Sequence, residues 1–267
     1  MQEKSVCACR LHCRMTNMDK KLLVDLGNTS LKWISVHGGR LNEGNRISHR
    51  HNPLECQLDQ AWGSERPPAI VWVVAVASQS LQDELRRWIE VHWSVPVHFM
   101  RTEKTTMGVT CAYQQPEDLG VDRWAAIVAA YNHHPQGVCV LDCGTAITLD
   151  LIDGDGLHLG GYILPGFELM RQSLFGNTAI AVVEDEQISG DFGKSTASCI
   201  ALGARKAVAS LVESSIERLQ AAGVCDPALI LTGSSANGIR SMIQIDHEIR
   251  EQLVLEGLLM YARGKAK

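Results

Sequence analysis

Long apolar runs are missing from this sequence, and so is any surplus of positive charge. No stretch approaches the roughly 18 consecutive apolar residues that cross a bilayer, so a membrane helix is excluded. Its 25 lysines and arginines are outnumbered by 30 aspartates and glutamates, giving a formal charge of −5 and a pI near 6.1. A nucleic-acid binder needs a basic stripe, and this chain has none. The first twenty residues lack the apolar core of a signal peptide, which argues against export and for the cytoplasm. Gly-x-Ser-x-Gly and His-Glu-x-x-His are both absent, which removes the nucleophile-elbow hydrolases and the zinc proteases. Two look-alikes fail on inspection. Gly193-Lys194-Ser195 imitates the end of a P-loop, but the first glycine of that motif falls on Ile188, after an acidic loop at Glu184 to Glu186 rather than a strand. Gly154-x-Gly156 with Gly160-Gly161 is mis-spaced for a dinucleotide fingerprint and sits in a hairpin.

What is present fits a folded α/β protein. The 267 residues are 45% hydrophobic and 21% charged, enough for two ordinary domains with real cores. Nine cysteines make an odd set, and Cys139, Cys143 and Cys199 fall inside strand or helix patterns. They read as reduced thiols of a cytoplasmic protein, not as a disulfide framework. Cys7, Cys9, His12 and Cys13 lie in an unpatterned segment, 1–18, expected to be a poorly ordered extension with Met18 close to the start of the folded chain. Zinc spacing does not favour a metal site there.

Strands are expected over Lys21 to Asp25 and Leu31 to His37, with His37-Gly38-Gly39-Arg40 turning the chain toward Ile47. Asn52 to Pro68 reads only as connection. Ile70 to Ala77 is a continuous apolar run, hence a strand buried on both faces. Leu81 to Trp93 has helical periodicity with Ser80 as the expected N-cap, and Val95 to Met100 is a further strand. Gly120-Val121-Asp122-Arg123 feeds a helix from Trp124 to Tyr131. The second half repeats the programme. Strands are expected at Val138 to Leu141, Ile147 to Ile152 and Leu157 to Leu164, with a turn at Asp153 to Gly156. A helix opened by Pro165, a long helix from Thr196 to Leu219, a strand at Ala228 to Leu231 and a last helix from Glu248 to Ala262 complete it. The expected domains are 19–133 and 134–267.

The two halves share one stretch. Val24 to Trp33, VDLGNTSLKW, is nearly repeated by Val140 to Leu149, VLDCGTAITL, with Asp25 and Gly27 recurring as Asp142 and Gly144 at a constant offset of 117 residues. Each copy runs a buried strand into a tight glycine turn and out into a second strand. Glycine lets backbone N–H groups approach an anion, and the hydroxyl residues after it can donate to phosphate oxygens. The aspartate at the strand end can hold a cation, directly or through water. Two such loops facing each other would grip one polyphosphate. The plain alternative is two unrelated hairpins sharing common turn chemistry.

Five motifs occur in order: Asp25-Leu-Gly-Asn-Thr29-x-x-Lys32, Tyr113-x-x-Pro116-x-x-Leu119-Gly-Val-Asp-Arg123, Asp142-Cys-Gly-Thr-Ala-x-Thr148, Gly160-Gly-Tyr-Ile-x-Pro-Gly166 and Ser195-Thr-x-x-x-Ile200-x-x-Gly203. Together they resemble type III pantothenate kinase, of the actin/sugar kinase/Hsp70 superfamily, from about Lys21 to the C-terminus. The Bvg accessory factor is a close relative in the same family. The resemblance implies two duplicated actin-like (ribonuclease H-like) α/β domains with an active-site cleft between them, working as a cytoplasmic homodimer. It implies phosphorylation of pantothenate by ATP to 4′-phosphopantothenate, the first committed step toward coenzyme A. Asp122 matches the family's general base; as an isolated residue it reads as a first-turn acid on the helix dipole. Arg123 matches a clamp for the substrate carboxylate, with a surface ion pair as the ordinary alternative. Tyr113, Gly120 and Val121 correspond to pantothenate contacts. Thr196 matches a residue that reaches the substrate from the second subunit; alone it reads as a helix N-cap.

Asp25, Leu26, Gly27, Asn28, Thr29, Ser30, Leu31 and Lys32 correspond to the first phosphate loop, and Thr145 to an ATP contact. Asp142 aligns with the ligand of a monovalent cation, K+ or NH4+, and ATP comes with Mg2+. Thr232-Gly233-Ser234-Ser235-Ala236 departs from the family's Thr-Gly-Gly turn. If the second glycine normally has positive φ, Ser234 carries a strain of about 1 kcal/mol and nucleotide choice is altered. Two other readings stand beside this one: a catalytically silent regulatory member of the family, and a kinase for another small alcohol such as a sugar.

Overall fold

The structure is a computed structural model and describes residues 20–178 and 190–265. The cysteine-containing segment 1–18 and the acidic loop at Glu184 to Glu186 lie outside the described residues. The described residues divide into two compact units: 20–103 with 117–126 and 254–265, and 104–116 with 127–178 and 190–253. Among the described residues, no helix is long and apolar enough to cross a membrane.

The first unit is built on a six-stranded sheet. β1 (Lys21–Leu26), β2 (Ser30–His37), β3 (Arg40–Leu41), β4 (Asn45–Ser48), β5 (Ile70–Ala75) and β6 (Val97–Phe99) are ordered β3-β2-β1-β5-β6, with β4 also on β2. β1 runs antiparallel to β2 and parallel to β5, so its backbone is paired on both sides. That placement explains why its residues Leu22, Leu23, Val24 and Leu26 are all buried. α1 (Leu54–Trp62) and α2 (Gln79–His92) cover one face, packing Leu54, Leu58, Trp62, Leu85, Trp88 and Ile89 against Leu22, Val24, Leu26, Leu31, Val71 and Val73. α1 replaces the plain connection expected between Asn52 and Pro68. Its signal is the spacing of Leu54, Leu58 and Trp62, one residue per turn on a single face. α2 begins two residues earlier than expected. Its cap is Ser78, whose side chain accepts from the Leu81 N–H at 3.4 Å, and Ser80 lies inside the helix.

The helix α3 (Val121–His133) contains the boundary between the units. Trp124 through Ala130 are all buried, so this helix is apolar on every side.

The second unit carries the small hairpin β7 (Thr105–Thr106) and β8 (Val109–Thr110), then a five-stranded sheet. Its strands are β9 (Val138–Cys143), β10 (Ala146–Ile152), β11 (His158–Pro165), β12 (Ala228–Thr232) and β13 (Glu248–Ile249). Their order, β11-β10-β9-β12-β13, repeats that of five strands of the first sheet, leaving β4 without a counterpart among the described residues. Antiparallel β10 and parallel β12 flank β9 as β2 and β5 flank β1. α4 (Phe167–Asn177) follows β11; Pro165 ends the strand and Gly166 takes the N-cap position, so the helix does not open on the proline. α5 (Thr196–Ala221) packs Val208, Val212, Ile216 and Leu219 against Leu141, Ile147, Leu149, Leu229 and Leu231. The last helix, α6 (Leu253–Lys265), starts later than expected because Glu248 and Ile249 pair with β12 as β13. α6 crosses α3 in the first unit at Gly257, where any Cβ would collide with the Ala125 carbonyl.

Candidate functional site

The first loop sits between β1 and β2. Asp25 pairs across the ladder with Lys32, and Leu26 with Leu31, so Gly27 to Ser30 form the turn, closed by Gly27 N–H donating to the Ser30 carbonyl at 3.0 Å. Asn28 is exposed, Gly27 and Thr29 are half-buried, and Ser30 is buried. Lys32 Nζ lies 3.8 Å from Asp25 Oδ2. The turn is braced from outside by the residue that follows β4: His49 N–H donates to the Thr29 carbonyl at 3.2 Å, and His49 Nε2 lies 3.0 Å from the Gly27 carbonyl oxygen. A carbonyl only accepts, so the imidazole proton must be on Nε2. Nothing in the sequence marked His49, because its partners are backbone atoms twenty residues away.

The second loop follows β9. Asp142 pairs with Thr148 across the sheet and with Thr232 of β12. Asp142 is half-buried, Cys143 buried and Thr145 exposed, matching Asp25, Leu26 and Asn28 position for position. Gly144 N–H donates to the Ala146 carbonyl at 3.0 Å, closing a turn one residue tighter than its counterpart. Ser235 N–H donates to the Cys143 carbonyl at 3.0 Å, which ties the Thr232-to-Ala236 turn to this loop. Gly233 there has φ +89°, whereas Ser234 is not among the positive-φ residues. The expected strain at Ser234 is therefore absent: the first glycine, which is retained, makes the left-handed turn. Burial and then the neighbouring Asp142 charge push the Cys143 thiol up to about 12, so it stays protonated and structural.

Gly120, Val121, Asp122 and Arg123 meet at the start of α3. Gly120 accepts the first helical bond, from Trp124 N–H at 2.9 Å, and the Thr102 hydroxyl fixes the approach by donating to the Leu119 carbonyl at 2.8 Å. Asp122 Oδ1 accepts from the Arg123 N–H at 2.7 Å. A Cβ on residue 120 would stand 2.8 Å from that same oxygen, so glycine makes room for the carboxylate. Asp122 and Arg123 are both half-buried. Asp122 lies in the first turn of the helix, at the positive end of its dipole.

Tyr113 lies half-buried in the loop after β8, its carbonyl accepting from Lys104 Nζ at 3.3 Å. Thr196 is the first residue of α5 and exposed. The cap of that helix is its neighbour: Ser195 accepts from Ser198 N–H, and Ser198 answers the Ser195 backbone in a capping box. Thr196 is thus left outside the capping role. Asp25, Lys32, Gly120, Asp122 and Arg123 belong to the first unit; Tyr113, Asp142, Thr145 and Thr196 belong to the second. Among the described residues, no three His, Cys, Asp or Glu side chains gather into a ready-made metal cage.

The doubled five-strand order, with a glycine turn at the end of each central strand, defines an actin-like α/β protein. Solved structures share that fold: a Baf-family protein from Campylobacter jejuni at TM-score 0.61 and 21% identity, over 92% of this chain and 98% of that one, and MreB 5 of Spiroplasma citri bound to AMPPNP at TM-score 0.51 and 11% identity, over 92% and 97%. The chain belongs to the type III pantothenate kinase family, whose model matches residues 21–218. The type III pantothenate kinase of Halorhodospira halophila is 34% identical over 254 residues, covering 92% of this chain and 99% of its own.

Proposed function

We propose that this chain transfers the terminal phosphoryl group of ATP to the primary hydroxyl of pantothenate, giving 4′-phosphopantothenate, the first step toward coenzyme A. The observation that carries the reading is the Gly120-to-Arg123 turn: a carboxylate and a guanidinium in the first turn of one buried helix, within a chain of this family. Phosphoryl transfer asks for positioning and charge neutralisation, with one group to receive the alcohol proton. Asp122 receives it. The Arg123 N–H on Oδ1 fixes the rotation of that carboxylate, and a carboxylate can take the proton because the alcohol acidifies late in a loose transition state. Arg123 grips the substrate carboxylate with two parallel hydrogen bonds, and Tyr113, Gly120 and Val121 line the rest of the substrate. Thr196, exposed at the start of α5, reaches the substrate of a second copy in a homodimer.

On the nucleotide side, Asp25 through Lys32 cradle the phosphates and Thr145 adds a hydroxyl. Asp142 would hold a monovalent cation, K+ or NH4+, when one is bound. Single carboxylates at strand ends, next to hydroxyl residues, suit Mg2+ that arrives on ATP with its own waters and phosphate ligands. That ion supplies positive charge to the transferring phosphoryl group. The buried free thiols Cys111, Cys139 and Cys143 suit a reducing compartment, the cytoplasm.

Incubation of the purified protein with ATP, Mg2+, K+ and pantothenate is expected to yield 4′-phosphopantothenate by mass spectrometry, with sugars unreactive in parallel. Asp122→Asn should lower kcat by about 10²- to 10⁴-fold, the usual weight of a general base, while ATP binding by calorimetry is unchanged. An Asn variant at full rate removes Asp122 from the chemistry, and turnover of a sugar in place of pantothenate assigns the site to another alcohol.

A further inference from the structure

A polar cluster in the second unit has no part in the chemistry above. Asp150 on β10 and His158 at the start of β11 are 2% and 0% exposed, and His158 Nε2 lies 3.0 Å from Asp150 Oδ1. The hairpin geometry makes the pair. The β10–β11 register shifts between Leu151 and Ile152, and Asp150 stands opposite Gly161. A Cβ at 161 would lie 2.7 Å from Asp150 Oδ1, so glycine there keeps space for the carboxylate. The other ring nitrogen, His158 Nδ1, is buried with no hydrogen-bond partner. A phenylalanine would fill the same space without leaving a nitrogen unsatisfied. The histidine is therefore explained by its bond to the carboxylate, which fixes the rotation of the ring.

What that fixed ring faces is Tyr113. The two rings are nearly parallel, 14° apart, with centroids separated by 6.3 Å, inside the range of offset aromatic pairs. Tyr113 sits in a loop outside the strands. Its backbone is held by Lys104, which bonds the carbonyls of Cys111 at 2.7 Å and Tyr113 at 3.3 Å. Lys104 thus fixes the main chain of the loop, and His158 limits where the ring can lie.

We propose that the buried Asp150–His158 pair is a platform that orients the Tyr113 ring for pantothenate, making His158 a positioning residue for substrate affinity. The inference rests on the reading of Tyr113 as a substrate contact. His158 touches neither substrate nor nucleotide. Its loss acts on pantothenate alone.

His158→Gln tests this, because the glutamine amide takes the place of Nε2 and keeps a donor toward Asp150 while removing the ring. The expected result is a pantothenate KM raised about tenfold, with the ATP KM within about twofold of wild type, as for a small misplacement of one contact. Asp150→Asn, which keeps shape and acceptor, should raise the same KM by about threefold as the ring is held less firmly. A readout independent of turnover is 19F NMR of protein carrying 3-fluorotyrosine at its four tyrosines. The Tyr113 signal, assigned by its loss in Tyr113→Phe, should shift in His158→Gln. An unmoved signal, or equal rises in both KM values, makes the pair a structural tie and overturns the proposal. Tyr113→Ala separates the two levels. If it leaves the pantothenate KM unchanged, the substrate reading of Tyr113 falls; if it raises that KM while His158→Gln does not, only the platform falls.

Discussion

Gly233 holds φ at +89° directly after β12, and a Cβ there runs into the Asp142 carboxylate and the Cys143 backbone. Both effects act on one residue, the first as backbone strain and the second as overpacking. Gly233→Ala should therefore destabilise the protein by about 3 kcal/mol, the sum of a left-handed alanine and a forced shift of its neighbours. The shift acts on Asp142, so the K+ dependence proposed for that residue should be weaker in the same variant. Ser234 gives a prediction of opposite sign to the one its sequence suggests. A strained serine would be relieved by glycine, and Ser234→Gly would stabilise. With φ outside the left-handed region, Ser234→Gly should instead cost about 0.5 kcal/mol through the extra freedom of the unfolded chain. A urea melt of the two variants decides between these signs. At this scale the sequence revealed residue types but not their partners. Asp25, Asp142 and Asp122 were legible from their motifs, whereas His49, His158 and Asp150 were not. Their significance lies in a carbonyl, a ring and a glycine that only the folded sheet brings alongside.

Elements built on one local period were readable, and those set by pairing or capping were less so. β1, β2, β5, β9, β10 and β12 announce themselves as short apolar runs stopped by glycine or polar turns. α1 was hidden because its face carries only three buried apolar residues, Leu54, Leu58 and Trp62, in a stretch rich in turn formers. β13 was swallowed by the helix that follows it, since two residues gain strand geometry only from β12 beside them. Caps depend on where the first helical φ/ψ falls, which two serines so close together leave undecided. The structure settles it for α2. Ser78→Ala should lose about 0.5–1 kcal/mol, the low end for a cap because the bond is 3.4 Å long. Ser80→Ala should stay within about 0.5 kcal/mol of wild type. Thermal melts of the pair give the answer directly; equal losses would put the start of the helix elsewhere.

On the scale of the whole molecule, the repeated strand order turns a ten-residue likeness into a duplication of entire sheets. β3-β2-β1-β5-β6 and β11-β10-β9-β12-β13 share order and strand direction at the central strands, which unrelated hairpins with common turns would not do. The return of the chain to the first unit from Val254 has no local mark; the need for glycine at 257, where a Cβ would meet the Ala125 carbonyl, shows only once the chain is folded. The charge balance then constrains how the proposed site can work. The chain carries −5 overall, and the residues assigned to the nucleotide and acceptor include Asp25, Asp122 and Asp142. Against them stand Lys32, already 3.8 Å from Asp25, and Arg123, which is assigned to the substrate carboxylate. With Arg123 taken up by the substrate carboxylate, a triphosphate brought alone meets like charge that Lys32 does not offset, so cations must arrive with it. ATP with Mg2+ at a hundred times its Kd should add about 2.7 kcal/mol of stability, a rise in Tm on the order of 5–10 °C for a chain of this size. Chelation with EDTA should remove nearly all of that rise while leaving the melt of the nucleotide-free protein where it was. An equal rise with ATP and EDTA would mean that the triphosphate is held by positive groups other than Lys32 and needs no accompanying cation.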